Sequence, residues 1–199
     1  MWKIEVAMLT SLNIIGKSFE ELVALFFCEV SEDDDFYDVL ACNLAQAHRK
    51  QLLAMLDCLS PKRLRAAICG LGLAGVVESS TVIREYLSHT EPFVVAAAID
   101  ALRRIGSVDW MIIAPSLQHS SPYVRGAALR FARAGLGGRA LAILRVASND
   151  PDAIVRQNAL DELDGLATVS DLGWITPFLG DSSAEVRAAA VSLVAAIKK

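Results

Sequence analysis

Several chemistries are excluded by what this sequence lacks. No histidine is followed by glutamate, no two cysteines stand as C-x-x-C, and there is no G-x-S-x-G. Those absences remove iron sites built on His-Glu pairs, zinc sites of finger spacing and the nucleophile elbow of hydrolases. The stretch "GLGLAG", Gly70 to Gly75, imitates a nucleotide loop, but it closes a helical pattern instead of following a strand. Aromatic residues are only 7% of the 199. So low a share argues against a β-sandwich and offers no platform on which bases could stack. Long apolar runs are missing too. The opening "MWKIEVAMLTSLNIIG" is interrupted by Lys3 and Glu5 and reads as neither a signal peptide nor a membrane span.

A strong charge of one sign is also absent. Net charge is −4, with residues 1–60 at −6 (four Lys/Arg, ten Asp/Glu) and residues 61–199 at +2 (fifteen and thirteen). Neither balance is the basic footprint of a nucleic-acid binder. The four cysteines, Cys28, Cys42, Cys58 and Cys69, lie in apolar helical contexts and read as reduced, buried thiols of a cytoplasmic protein. The run Glu32-Asp33-Asp34-Asp35 lacks the central Gly and closing Glu of a calcium loop and reads as a solvated acidic loop.

What is abundant is Ala and Leu, in a chain that is 54% hydrophobic, and they recur in a phrase. "CLSPKRLRAAICGL" from Cys58 returns as "HTEPFVVAAAIDAL" from His89, "HSSPYVRGAALRFA" from His119, "DPDAIVRQNALDEL" from Asp150 and "DSSAEVRAAAVSLV" from Asp181. The seventh residue of each is an anchor: Leu64, Val95, Arg125, Arg156 and Arg187, spaced 31, 30, 31 and 31 apart. Three positions on stands Ala67, Ala98, Ala128, Ala159 or Ala190, and one further on Ile68, Ile99, Leu129, Leu160 or Val191. The small-then-large pair shares one helical face with the residue before the anchor. Pro61, Pro92, Pro122, Pro151 and Ser183 are expected to open these helices, with Asp150 and Asp181 as N-cap candidates. Shorter apolar stretches between them predict a first helix in each unit, and Pro115 and Pro177, two periods apart, should kink or end it. Periods of this length mark stacked arrays. The fold expected is all-α, an α-α superhelix of about five helix-pair units, with a boundary at 57/58 separating the array (58–199) from a divergent helical segment or cap (1–57). In that segment helices are expected at about 18–28, opened by a Ser18/Glu21 capping box, and 36–57.

The string D-x-x-x-x-V-R-x-x-A-[LV], present at Asp150–Leu160 and Asp181–Val191, resembles the HEAT-like repeat, of the short form also found in phycobilisome lyase subunits. The resemblance covers roughly residues 58–199. It implies a solenoid whose second helices line a concave face. It also implies a hydrogen-bonded ladder between units built from Arg125, Asp150, Arg156, Asp181 and Arg187. Leu64 and Val95 depart from the pattern, so the ladder should be incomplete on the N-terminal side.

Function is then expected from positions that vary between units. Arg103, Arg104, Arg130 and Arg133 would form a basic patch and Asp161, Glu162 and Asp164 an acidic one beside it, a bipolar groove selecting a protein partner by charge. His89 and His119, one period apart, could suggest a metal pair, but adjacent units place them too far apart for one ion, and helix caps are the preferred reading. The expectation is a non-catalytic scaffold or adaptor, with no catalytic residue, metal or cofactor and no membrane partner. The resemblance supplies the alternative, a bilin-type cofactor lyase subunit or chaperone, which requires an apolar groove for an extended chromophore. Some HEAT-like solenoids are alkyl-base DNA glycosylases, but the small Arg cluster followed by acids makes that the least favoured reading. The last helix has no polar unit after it in this sequence. Either the sequence is cut from a longer protein, or its apolar end meets another subunit, and a homo-oligomer through that end is the expectation preferred.

Overall fold

A computed structural model describes residues 16–28, 34–106 and 109–199. Every element among the described residues is an α-helix or a 3-10 turn, so the chain is all-α. The amino-terminal stretch read above as neither signal nor span, and Glu32 and Asp33 of the acidic run, lie outside the described residues. No described helix is long and apolar enough to cross a membrane. The chain divides into two compact units, Met1–Ser107 and Val108–Lys199.

In the first unit, helix α1 (Phe19–Phe27) opens with the expected capping box. Ser18 Oγ accepts from the Glu21 N–H at 3.3 Å, and Glu21 accepts from the Ser18 N–H at 2.8 Å. Next come α2 (Asp34–Ala47), α3 (Arg49–Met55), α4 (Pro61–Leu73), α5 (Ser80–Glu85) and α6 (Pro92–Ile105). The single helix expected over 36–57 is in fact two. The chain leaves helical geometry at His48, with φ −135° and ψ 40°, and α3 is followed by a 3-10 turn, Leu56–Cys58. Apolar periodicity runs through such a break, which is why it misleads.

The long helices α2, α4 and α6 pack in chain order. Glycine makes the close approaches: a Cβ on Gly70 would lie 2.4 Å from the Ala41 carbonyl carbon, and one on Gly72 2.6 Å from Ala101 Cα. Ala67, Ile68, Ala98 and Ile99 are fully buried in this unit. Arg63 is buried as well. Its guanidinium lies 3.7 Å from the Tyr37 ring centroid and donates to Cys28 O at 3.3 Å, so among the described residues an aromatic face and a carbonyl meet its charge.

The second unit repeats one plan. Helix α7 (Trp110–Ile113), α9 (Leu141–Ala147) and α11 (Leu172–Ile175) are short first helices. Two continue into 3-10 turns, Ala114–Gln118 and Thr176–Gly180, in which Pro115 and Pro177 hold the same second position. A ring at that position lacks the N–H that a longer α-helix would need. The second helices are α8 (Pro122–Leu136), α10 (Ala153–Asp161) and α12 (Ala184–Ile197), and α10 packs against both of the others. One apolar core runs through them, including Leu129, Val155, Ala159, Leu160, Val186 and Ala190. The five repeated alanines across both units have no exposed surface.

Four local expectations are corrected. Of the four cysteines read as buried only Cys69 is so, Cys42 being half-buried and Cys28 and Cys58 exposed. Pro151 does not open its helix: Asp152 is the N-cap, its side chain accepting from the Ile154 N–H. Asp150 and Asp181 are not N-caps either, since Asp152 and Ser183 hold that place. Val191 occupies the position where Leu129 and Leu160 are fully buried, yet it is 58% exposed, because no described element covers that side of α12.

Candidate functional site

The most ordered polar feature of the second unit is a ladder of arginines and aspartates. Asp150 and Asp181 each sit two residues before an N-cap, where one carboxylate oxygen accepts a backbone N–H: Asp152 N at 2.8 Å and Ser183 N at 2.9 Å. That local turn pre-aims the carboxylate. Arg125 meets Asp150 in bidentate fashion, Nε at 2.9 Å and Nη2 at 2.7 Å, and Arg156 meets Asp181 likewise at 2.9 and 2.8 Å. The remaining Nη1 of each arginine donates to two carbonyls, those of His119 and Ser120 for Arg125, and of Asp150 and Pro151 for Arg156. Each rung therefore ties a second helix to the turn ahead of it and to the next turn along.

Electrostatics follow the geometry. Burial pushes the Asp150 carboxyl up, but the Arg125 bonds, the Asp152 N–H and the charges of Arg125 and Arg156 outweigh it and hold it below the ordinary aspartate value. Asp181 is lowered chiefly by its bonds from Arg156, with the Ser183 N–H assisting against a smaller burial effect. Arg125 and Arg156 are raised in turn, first by the bond to the facing carboxylate.

His89 and His119 occupy the corresponding turns. Each Nδ1 accepts a backbone N–H at 3.0 Å, from Glu91 and Ser121 respectively, the role of the Asp150 and Asp181 carboxylates. A pattern not apparent from single positions now emerges. The anchors Arg125 and Arg156 are each followed 25 residues on by an aspartate in the turn. The aliphatic anchors Leu64 and Val95 are followed at the equivalent turn by His89 and His119, whose Nδ1 takes the place of the carboxylate oxygen.

The six residues expected to bind a partner distribute as follows. In the first unit, Arg103 is half-buried and its Nε bonds Asp100 on its own helix at 3.3 Å, while Arg104 is exposed. In the second unit, Arg130 is half-buried with Nη1 on Asn158 Oδ1 at 2.6 Å, which ties α8 to α10. Arg133 is half-buried beside Gly165, and Asp161 and Asp164 are exposed. Partial burial raises the Asp161 carboxyl above its ordinary value, and a bond from Gln157 acts against it. Asn158 was not singled out from sequence. Its amide donates to Ile154 O at 2.7 Å, and Gly126 leaves it room, since a Cβ there would come within 3.2 Å. A Gly facing an Asn one period on is the signal that could have revealed it.

On the first-helix side of the same unit, a cleft of about 760 Å³ opens above the Arg125–Asp150 rung. Leu117, Ile143, Val146 and Ala147 give it apolar walls, and Val146 is 77% exposed.

No family model and no curated protein matches the chain. Among solved structures, the chain is similar to the crystal structure of an engineered protein, a Northeast Structural Genomics Consortium target. Identity is 16%, the TM-score is 0.50, and the match covers 89% of this chain and 96% of that one. At that identity the likeness concerns the fold alone.

Proposed function

We propose that the protein is a HEAT-like α-solenoid acting as a non-catalytic scaffold that binds a protein partner on the outward faces of its second helices. The observation that carries this reading is the division of labour among its charges. In the second unit, Arg125, Arg156, Asp150 and Asp181 serve the stack, whereas Asp161 at the end of α10 and Asp164 in the turn after it are exposed, and Arg133 is half-buried on α8. Charged residues that the stack does not use are free to select a partner. Arg130 belongs to the stack, through Asn158, more than to the binding face.

The test is affinity capture from native cell extract on the immobilised protein. Arg133→Glu should abolish recovery of a specific protein while leaving the far-ultraviolet circular dichroism melt unchanged. Equal recovery by the variant would refute the reading.

The cleft above the Arg125–Asp150 rung favours a second reading, a bilin-type lyase subunit or chaperone. Its volume lies within the roughly 300–1,000 Å³ of small-molecule sites, and its walls are mainly apolar. Mixing with a linear tetrapyrrole should then shift the pigment's absorbance, and Val146→Asp should suppress the shift. An unchanged spectrum removes this reading.

A further inference from the structure

Within the second unit, successive first helices meet twice, and the chain fills the two places differently. Where α11 follows α9, Trp174 is half-buried, and the Arg145 guanidinium on α9 lies 5.2 Å from its ring centroid. Its Nε1 donates to Asp171 Oδ1 at 3.1 Å. Phe178, in the turn after α11, packs against the apolar core. The residues 31 positions earlier are smaller: Ile143 stands in the place of Trp174, Ala147 in that of Phe178 and Ala114 in that of Arg145. The register is fixed by Leu144 and Ile175, which bear the same relation and are both fully buried. Ile143 and Ala147 are walls of the cleft of about 760 Å³ above the Arg125–Asp150 rung. The cleft therefore opens at the repeat positions where the next unit carries an indole and a phenyl ring.

Its lining states what it accepts. Of the lining residues only Arg125 and Asp150 carry a fixed charge, and each holds the other at two points. A charged ligand would lose hydration there without gaining a counter-ion, whereas an uncharged ring would gain burial against Leu117, Ile143 and Val146. At the rim stand Gln118 and Asn149, both exposed, and the Gln118 amide has no hydrogen-bond partner among the described residues. We propose that this cleft binds a small, uncharged, planar aromatic molecule of indole or naphthalene size, its ring at the positions that Trp174 and Phe178 take one unit on and its polar substituent at the Gln118 amide. The proposal rests on the same cleft as the second reading above but not on its pigment, and the charged face of the second helices has no part in it.

The probe is prodan, an uncharged naphthalene ketone whose emission moves to the blue on leaving water. Titrated with the full-length protein, it should bind saturably, one molecule per chain. Ala147→Phe and Ile143→Trp, which restore the rings of the next unit, should each weaken binding at least about tenfold. Val169→Ser removes an exposed apolar side chain elsewhere in the unit and should leave binding unchanged. Because the next unit accommodates Phe and Trp at these positions, both variants should melt at or above the parent temperature; if one unfolds, the other carries the test. Absence of saturable binding, or binding that survives both filling variants, would overturn the proposal. Prodan binding with an unchanged tetrapyrrole spectrum upholds it and removes the pigment reading, and a pigment shift without prodan binding does the reverse. Sedimentation showing a self-associated protein that Ala147→Phe makes monomeric, with no prodan binding, would assign the cleft to a second copy and overturn it equally.

Discussion

What a guanidinium contributes in this protein is decided by its partners. Arg156 is about one-seventh exposed and satisfies two carbonyls and one carboxylate. Removing it takes a donor from all three acceptors, and only Asp181 keeps another, the Ser183 N–H. Arg187 is exposed and donates to two carbonyls, those of Asp181 and Ser182. Arg156→Ala should therefore lower stability by about 1–3 kcal/mol in urea unfolding, whereas Arg187→Ala should change it by less than about 0.5 kcal/mol. A further expectation concerns pH. Asp181 has a folded-state pKa below its unfolded value, so its stabilisation is complete above about pH 4 and is lost as pH falls through the lowered folded value. The stability gap between wild type and Asp181→Asn should be constant from pH 5 to 7, on the scale of the ordinary pKa near 3.9, and close progressively in more acidic solution. A gap that persisted undiminished through the acid range would show that the carboxylate charge is not what Arg156 holds.

At the level of helices, much was legible because each repeat reuses one local rule. The alanine row, the prolines of α4, α6 and α8, and the paired positions of Pro115 and Pro177 all follow from steric and hydrogen-bonding limits that act within a few residues. What could not be read depends on neighbours in space. Pro151 suggested an opening that Asp152 takes, because it stands five residues before its anchor, whereas Pro61, Pro92 and Pro122 stand three before theirs; α10 starts in the same register as its counterparts. Val191 obeys the repeat pattern yet is exposed, since burial requires a covering element that no periodicity guarantees. Glycine marks the same distinction. Gly70→Ala would drive a methyl into the backbone at Ala41 and should cost about 1–3 kcal/mol. Gly126→Ala meets only the tip of the Asn158 side chain at 3.2 Å and gains helix propensity, so its melt should shift within about 1 kcal/mol of wild type. Paired thermal unfolding of these two variants checks whether backbone approach or glycine itself matters.

For the whole molecule, the all-α architecture and the absence of any described membrane-length helix bound the function without naming it. Of the candidate site, the ladder residues Arg125, Asp150, Arg156 and Asp181 were legible, because a structural contact repeated in space repeats in sequence. The binding residues were legible only as departures from the repeat, and such departures also include Arg130, which turned out to hold Asn158. Charge is the property on which the proposed binding face depends. The measurement that tests it most directly is the dissociation constant of the captured partner for two variants of opposite change within the second unit, Arg133→Glu and Asp161→Lys/Asp164→Lys. A bipolar face requires both to bind at least tenfold more weakly, about 1.4 kcal/mol, with unaltered melts. Affinities within twofold of wild type for both would contradict it.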